Sequence, residues 1–135
     1  MQKAFRMMAC YVDFAVHQKG LFNLMVGPRI IARRTHAELI SEAATSFDLF
    51  ATSITECAHA HGWAREDFER LVHAAWAVEH GLAMLILANR VPLPKNDQTM
   101  HPMASFSISM LLKSIAAGPE KLAAITVARD GTALP

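Results

Sequence analysis

Apolar residues recur along this chain at three- and four-residue intervals, the spacing of helices that bury one face. The clearest run is Ile40, Ala43, Phe47, Phe50, Ile54, Cys57 and His61, spaced 3-4-3-4-3-4. At 3.6 residues per turn these positions fall within an arc of roughly 100°, which predicts one packed helix with a long buried seam. Its start is marked by Thr35-His36-Ala37-Glu38, the spacing of a capping box, and its end by Gly62.

The same periodicity predicts three further helices. The first covers residue 3 to Gln18, with Gly20 placed to end it, and a short turn from Leu21 to Val26 follows before Gly27-Pro28. Another runs from Arg65 to Asn89, opening with Glu66 and Asp67, where acids suit the helix dipole. It carries Phe68, Val72, Ala75, Leu82 and Ile86 on one face and the small residues Ala74, Ala77, Gly81 and Ala88 on another. A helix with two apolar faces needs cover on both sides, and in a short domain a second copy of the chain can supply it. The last main helix spans Met103 to Ala117: Ser105 to Ser109 alternates like a strand, but Ala104, Ile108, Leu111, Leu112 and Ile115 keep helical spacing. The expected architecture is an all-α antiparallel bundle over residues 1–118, with 119–135 a tail or short last helix.

Composition adds mostly exclusions. The chain has 135 residues, 53% hydrophobic and 19% charged, with a formal charge of +1, so one domain with a real core is expected and no global pull toward nucleic acid or anionic membrane. No stretch approaches the roughly 20 apolar residues that span a bilayer. Residues 1–18 lack a signal-peptide core. A soluble, cytoplasmic protein is expected, with Cys10 and Cys57 as two buried thiols.

Candidate chemistry is sparse. Tyr11, Phe14, Phe22, Met25, Phe47, Phe50, Ile54 and Trp76 are large side chains on faces expected to converge, either as a solid core or as an apolar pocket. Glu79 falls on the same face as Val72, Ala75, Leu82 and Ile86, so a carboxylate points where the pattern places core. It reads as a polar anchor for a ligand with His80 beside it, or as one half of an ion pair at a helix crossing. Glu56-Cys57-Ala58-His59 has the Glu-x-x-His spacing of di-iron bundles, but it occurs once and points away from the Phe47-Phe50-Ile54 seam. There is no nucleophile elbow and no phosphate-cradling loop. Arg29, Arg33 and Arg34 read as a solvated helix start and not as a DNA-reading element. No catalytic residue, metal ligand or cofactor is expected, and the chain is not read as an enzyme.

The stretch Ala74-Ala75-Trp76-Ala77-Val78-Glu79-His80-Gly81-Leu82-Ala83-Met84-Leu85-Ile86-Leu87 resembles the Trp…His-Gly helix in one branch of the tetracycline-repressor family. Tyr11-Val12-Asp13-Phe14-Ala15 and Gly20-Leu21-Phe22-Asn23-Leu24-Met25 resemble the same branch, and the likeness covers residues 5 to 115 in order. The resemblance implies a C-terminal regulatory domain that encloses an apolar effector pocket and pairs through a helical bundle. The dimer contact would come from Ala77, Gly81, Leu85 and Ala88 with Phe106 and Met110. The family's N-terminal DNA-reading domain, roughly three helices, has no counterpart in this sequence, so DNA is expected to be reached only through a separate or missing module. The leading expectation is a homodimeric small-molecule-sensing domain. The alternatives are a helical metalloprotein or small enzyme using Glu56 and His59, and a shortened interaction module that pairs with a full-length regulator.

Overall fold

The computed structural model describes residues 1–26, 37–91 and 101–123, and every regular element among them is helical. In chain order these are α1 (Gln2–His17), α2 (Lys19–Val26), α3 (Ala37–Ala60), α4 (Phe68–Leu87, entered through a 3-10 turn at Arg65–Asp67), α5 (Pro102–Ala117) and α6 (Pro119–Ala123). α4 is the hub, packed against α1, α3 and α5, while α1 also touches α3 and α5.

α1 buries Ala4, Met8, Val12 and Ala15, a stripe at helical spacing. It does not run to Gly20. Gln18 leaves helical geometry at φ −120° and ψ 46° while its N–H still bonds the Phe14 carbonyl, and the chain then starts a new helix. The expected turn at Leu21–Val26 is therefore part of α2, and Gly20 lies inside it. Two contacts anchor this restart: the Phe22 N–H bonds the Gln18 carbonyl at 2.8 Å, and the Phe22 ring is fully buried.

α3 contains the predicted seam only in its second half. Phe50, Ile54, Cys57 and Ala58 are buried, but residues 41–49 are exposed throughout, with Ile40 46% and Phe47 37% exposed. The reason is length. At 1.5 Å per residue, α3 with its 24 residues reaches about 36 Å, against about 24 Å for the 16-residue α1, so α1 can cover only part of it. Thr35 and His36, half of the expected capping box, lie outside the described residues, as do Arg29, Arg33 and Arg34.

The end of α3 is closed as the sequence suggests. Gly62 adopts φ +82°, its N–H bonds the His59 carbonyl, and the Trp63 N–H bonds Ala58, the double bond of a Schellman cap. Trp63 then donates its indole N–H to the Ile115 carbonyl at 2.8 Å, which ties this corner to the end of α5. Gly118, at φ +85°, completes the corner: a Cβ there would lie 3.2 Å from the His61 carbonyl oxygen.

α4 buries Leu71, Val72, Ala75, Leu82, Ala83 and Ile86 together with Glu79. α5 settles the ambiguous serine-rich stretch as helix, burying Ala104, Ile108, Leu112 and Ile115. Its start has a cap that the periodicity did not signal: Pro102 occupies the first turn and the His101 Nδ1 accepts a hydrogen bond from the Met103 N–H at 3.2 Å. Residues 124–135 lie outside the described part of the tail.

Two clusters result. The larger joins α1, α3, α4 and α5 around Met8, Ile54, Ile86, Ile108 and Leu112. The smaller holds Ala15, Phe22 and Ala83, with Tyr11, Phe14, Val26 and Leu87 packed against it. Of the cysteines, Cys57 is buried as expected, but Cys10 is exposed because it falls on the side of α1 opposite Ala4 and Met8. No helix among the described residues is long and apolar enough to cross a membrane.

Candidate functional site

Where α1, α2, α3 and α4 come together, their aromatic residues form an unbroken row. Phe14 meets Phe22 at 6.4 Å between ring centroids, and Phe22 meets Tyr11 edge-on at 5.5 Å. The imidazole of His80 lies 6.1 Å from Phe22 and 6.2 Å from Tyr11, and Trp76 follows at 5.8 Å from His80. Phe47 stands edge-on to Trp76 at 6.0 Å and leads to Phe50 at 5.9 Å. Edge-on and tilted pairs at these separations are the arrangement that ring quadrupoles favour. The row passes from the buried Phe22 to the surface, where Trp76 is 42% exposed.

Helical register explains the convergence. Trp76 and His80 are four residues apart and so share one flank of α4. Tyr11 and Phe14 sit on the flank of α1 beside its buried stripe, and the break at Gln18 turns α2 so that Phe22 comes back onto that flank.

Polar groups meet in the middle of the row. The Tyr11 hydroxyl and the His80 Nδ1 share a hydrogen bond of 2.8 Å across 69 residues of sequence. Glu79, the next residue on α4, is only 3% exposed, and its Oε2 has no hydrogen-bond partner among the described residues. Burial pushes the Glu79 carboxyl up to about 8, so near neutral pH it is mostly protonated. The Tyr11 phenol is pushed up to about 12, first by burial and then by the proximity of Glu79, with hydrogen bonding from Trp76 acting in the opposite sense. A buried carboxyl without a cation is unusual, because such a group costs stability unless paired.

The sequence-derived candidates are thus distributed unevenly. Tyr11, Phe14, Phe22, Phe47, Trp76 and His80 lie in the aromatic row, with Glu79 at its base. Phe50 touches the row through Phe47 but belongs, with Ile54, to the main core. Met25 is exposed near the end of α2. Val26, Leu87 and Ala83, which the pattern did not single out, pack on Phe22; only the position of α2 brings them there, and that position depends on the break at Gln18.

The residues expected to pair two copies lie on the outside. Ala77, Leu85 and Ala88 of α4 are exposed, Gly81 is half-exposed, and Phe106 and Met110 of α5 are exposed, Phe106 by 63%. Met84 and Met103 extend the same faces and are also exposed. Their three- and four-residue spacing from Gly81, Ala88, Phe106 and Met110 was the signal that could have found them. α4 and α5 pack against each other, so the two stripes belong to neighbouring helices.

The Glu56-x-x-His59 pair is not built into a site. Glu56 is exposed and forms an ion pair with Lys3 of α1 at 2.8 Å, His59 is exposed, and no group of metal-ligating side chains occurs among the described residues.

An all-helical domain with one apolar hub helix, a polar–aromatic row on one flank and an uncovered apolar face on the other is the class this fold defines. The family model for the tetracyclin repressor-like C-terminal domain matches residues 4–108, and the chain belongs to that family. It is therefore a regulatory domain of the tetracycline-repressor type. No curated protein and no solved structure matches the chain.

Proposed function

We propose that this chain is a dimerising domain that senses a small apolar molecule. The observation that carries the reading is the aromatic row of Tyr11, Phe22, His80 and Trp76 beside the buried Glu79, whose Oε2 has no partner among the described residues. Effector sites combine apolar and aromatic walls with a few placed polar groups, and here those polar groups are Tyr11, His80 and Glu79. A purely structural cluster would have no use for a buried carboxyl that lacks a partner.

The second part of the reading concerns α4. Trp76, Glu79 and His80 occupy one side of it, while Ala77, Gly81, Leu85 and Ala88 occupy the other. The exposed stripes of α4 and α5 are the pairing face, and two copies meeting there would form a four-helix contact with small residues allowing close approach. A ligand shifts an equilibrium only by its difference in affinity for the two states. One rigid helix that holds both the site and the pairing face supplies that link: a molecule that tilts α4 alters how two copies meet. In this reading DNA is reached through a separate N-terminal module whose spacing the dimer sets.

Gly81→Leu tests the pairing face cleanly. Nothing lies within 4 Å of a Cβ added at Gly81, so the single chain accommodates the new side chain. Replacing glycine in a helix interior also removes a cost of about 1 kcal/mol. The expected result in sedimentation equilibrium is a dimer for the wild type and a dissociation constant raised at least about tenfold for Gly81→Leu, with thermal stability of the monomer unchanged or higher. A dimer unaffected by leucine, or a wild-type monomer at high concentration, would remove α4 from the interface.

A further inference from the structure

Resting on the reading of the aromatic row as the effector site, the chemistry of that site also selects a class of effector. We propose that it binds a lipophilic monocation, an amine or quaternary ammonium ion bearing an apolar group, held against the rings of Tyr11, Phe22, Trp76 and His80 with Glu79 as its counter-charge.

Three observations converge on this. First, Glu79 is almost completely buried and its Oε2 has no partner among the described residues. A neutral apolar ligand would leave the oxygen as unsatisfied as before. A cation is the ligand whose arrival resolves the deficit. Second, Glu79 lies beside Tyr11, whose ring meets those of Phe22 and His80, and a cation within about 6 Å of a ring centroid gains attraction from the quadrupole, most strongly with Trp. Third, among the described residues no lysine or arginine takes part in the row, whose polar members are Tyr11, His80 and Glu79. The rings are in contact, at 5.5 to 6.4 Å between centroids. Access therefore requires the half-exposed Trp76 and Phe47 rings to swing outward, which their position at the surface permits.

Protonation couples to this binding. Among the described residues, Tyr11 from α1 is the titratable group that acts on Glu79, with His80 next to it in sequence, and burial is what raises the Glu79 carboxyl. With the carboxyl at about 8, a cation arriving at pH 7 must expel a proton. Its affinity should rise about tenfold per pH unit from pH 6 to 7.5 and level off above pH 8.5. A neutral ligand should show no such slope.

The test is titration of the full chain with benzyltrimethylammonium and with neopentylbenzene, its neutral carbon isostere, read by calorimetry and by tryptophan fluorescence. Trp76→Phe, which leaves Trp63 as the remaining indole, assigns the signal to the row. The expected result at pH 8.5 is that the cation binds at least about tenfold tighter than the isostere, a preference that falls below about threefold in Glu79→Gln. Equal affinity for the two probes, the same in wild type and Glu79→Gln and flat with pH, overturns the cation proposal while leaving an apolar effector site. Binding of neither probe to folded protein overturns both readings. Should Glu79→Gln fail to fold, the pH slope of the wild type decides: a slope for the ammonium ion alone supports the proposal, and identical pH behaviour of the two probes overturns it.

Discussion

The two apolar clusters of this domain share α1 and α4 yet obey different rules. The larger is mostly aliphatic, and Met8, Ile54, Ile108, Leu112 and Ile115 in it are essentially inaccessible. The smaller centres on Phe22, continues as the aromatic row to the surface at Trp76 and Phe47, and has the Glu79 carboxyl beside Tyr11. The first does what hydrophobic burial does, stabilising the bundle by about 1.5–3 kcal/mol for each large side chain removed from water. The second gives up part of that gain. Rings left half in water, and an acid whose Oε2 has no partner among the described residues, are poor choices for a core and suit the proposed site.

The sharpest way to break this comparison is to cut into both clusters and weigh the losses. Ile54→Ala should cost about 2–5 kcal/mol, because the closed core around it cannot collapse fully into the space left behind. Trp76→Ala removes a larger side chain but one that is 42% exposed, and should cost less than about 2 kcal/mol. Urea denaturation of the two variants checks the ordering. If Trp76→Ala is the more damaging, the aromatic row is core and the contrast fails.

Glu79 gives the next largest effect and one with a sign. Its carboxyl stands at about 8 in the folded chain against 4.5 as the reference value, so the folded state holds the proton more tightly than the unfolded state does. Stability is therefore fully present below about pH 4.5, falls as pH rises from there to about 8, and is flat above. The total loss is on the order of a few kcal/mol. Glu79→Gln should remove this contribution, making the variant the more stable protein at pH 9 relative to pH 5. Thermal melts of both proteins across that range decide it, and parallel pH curves would mean that Glu79 finds a counter-charge in solution.

How much of this was legible in the sequence follows the same division. The buried stripes of α4 and α5 could be read because helical periodicity reports burial directly. Glu79 could be placed on the buried face of α4 for the same reason, and its lack of a partner could not, since partners come from other helices. The seam of α3 is shorter than the pattern suggests: Ile40, Ala43 and Phe47 have the spacing of buried residues yet are exposed. Gly20 was given a stopping role that Gln18 performs, because a glycine can end a helix but need not. That error concealed α2, and with it the reason Phe22 meets Tyr11 and His80. Periodicity describes each helix alone, whereas the aromatic row is a property of four helices at once.

The smallest effect probes the join between the two regions. The Tyr11 hydroxyl is the group on α1 that connects to α4 by a polar contact, through His80 at 2.8 Å, and it lies beside Glu79. Tyr11→Phe keeps the ring edge-on to Phe22 and deletes that hydroxyl alone. A net hydrogen bond is worth about 0.5–1.5 kcal/mol, and the row's access to water lets solvent replace part of it, so the loss of stability should be at or below about 1 kcal/mol. The informative readout is elsewhere. With the hydroxyl gone the imidazole of His80 loses its anchor and the Trp76 ring is freed at the surface, so Trp76 fluorescence should shift to the red and quench more readily with acrylamide, while Trp63, held to Ile115, stays unchanged. A loss above about 2 kcal/mol with no change at Trp76 would instead show the Tyr11–His80 contact to be a structural strut, and would move the boundary between core and site outward to the rings themselves.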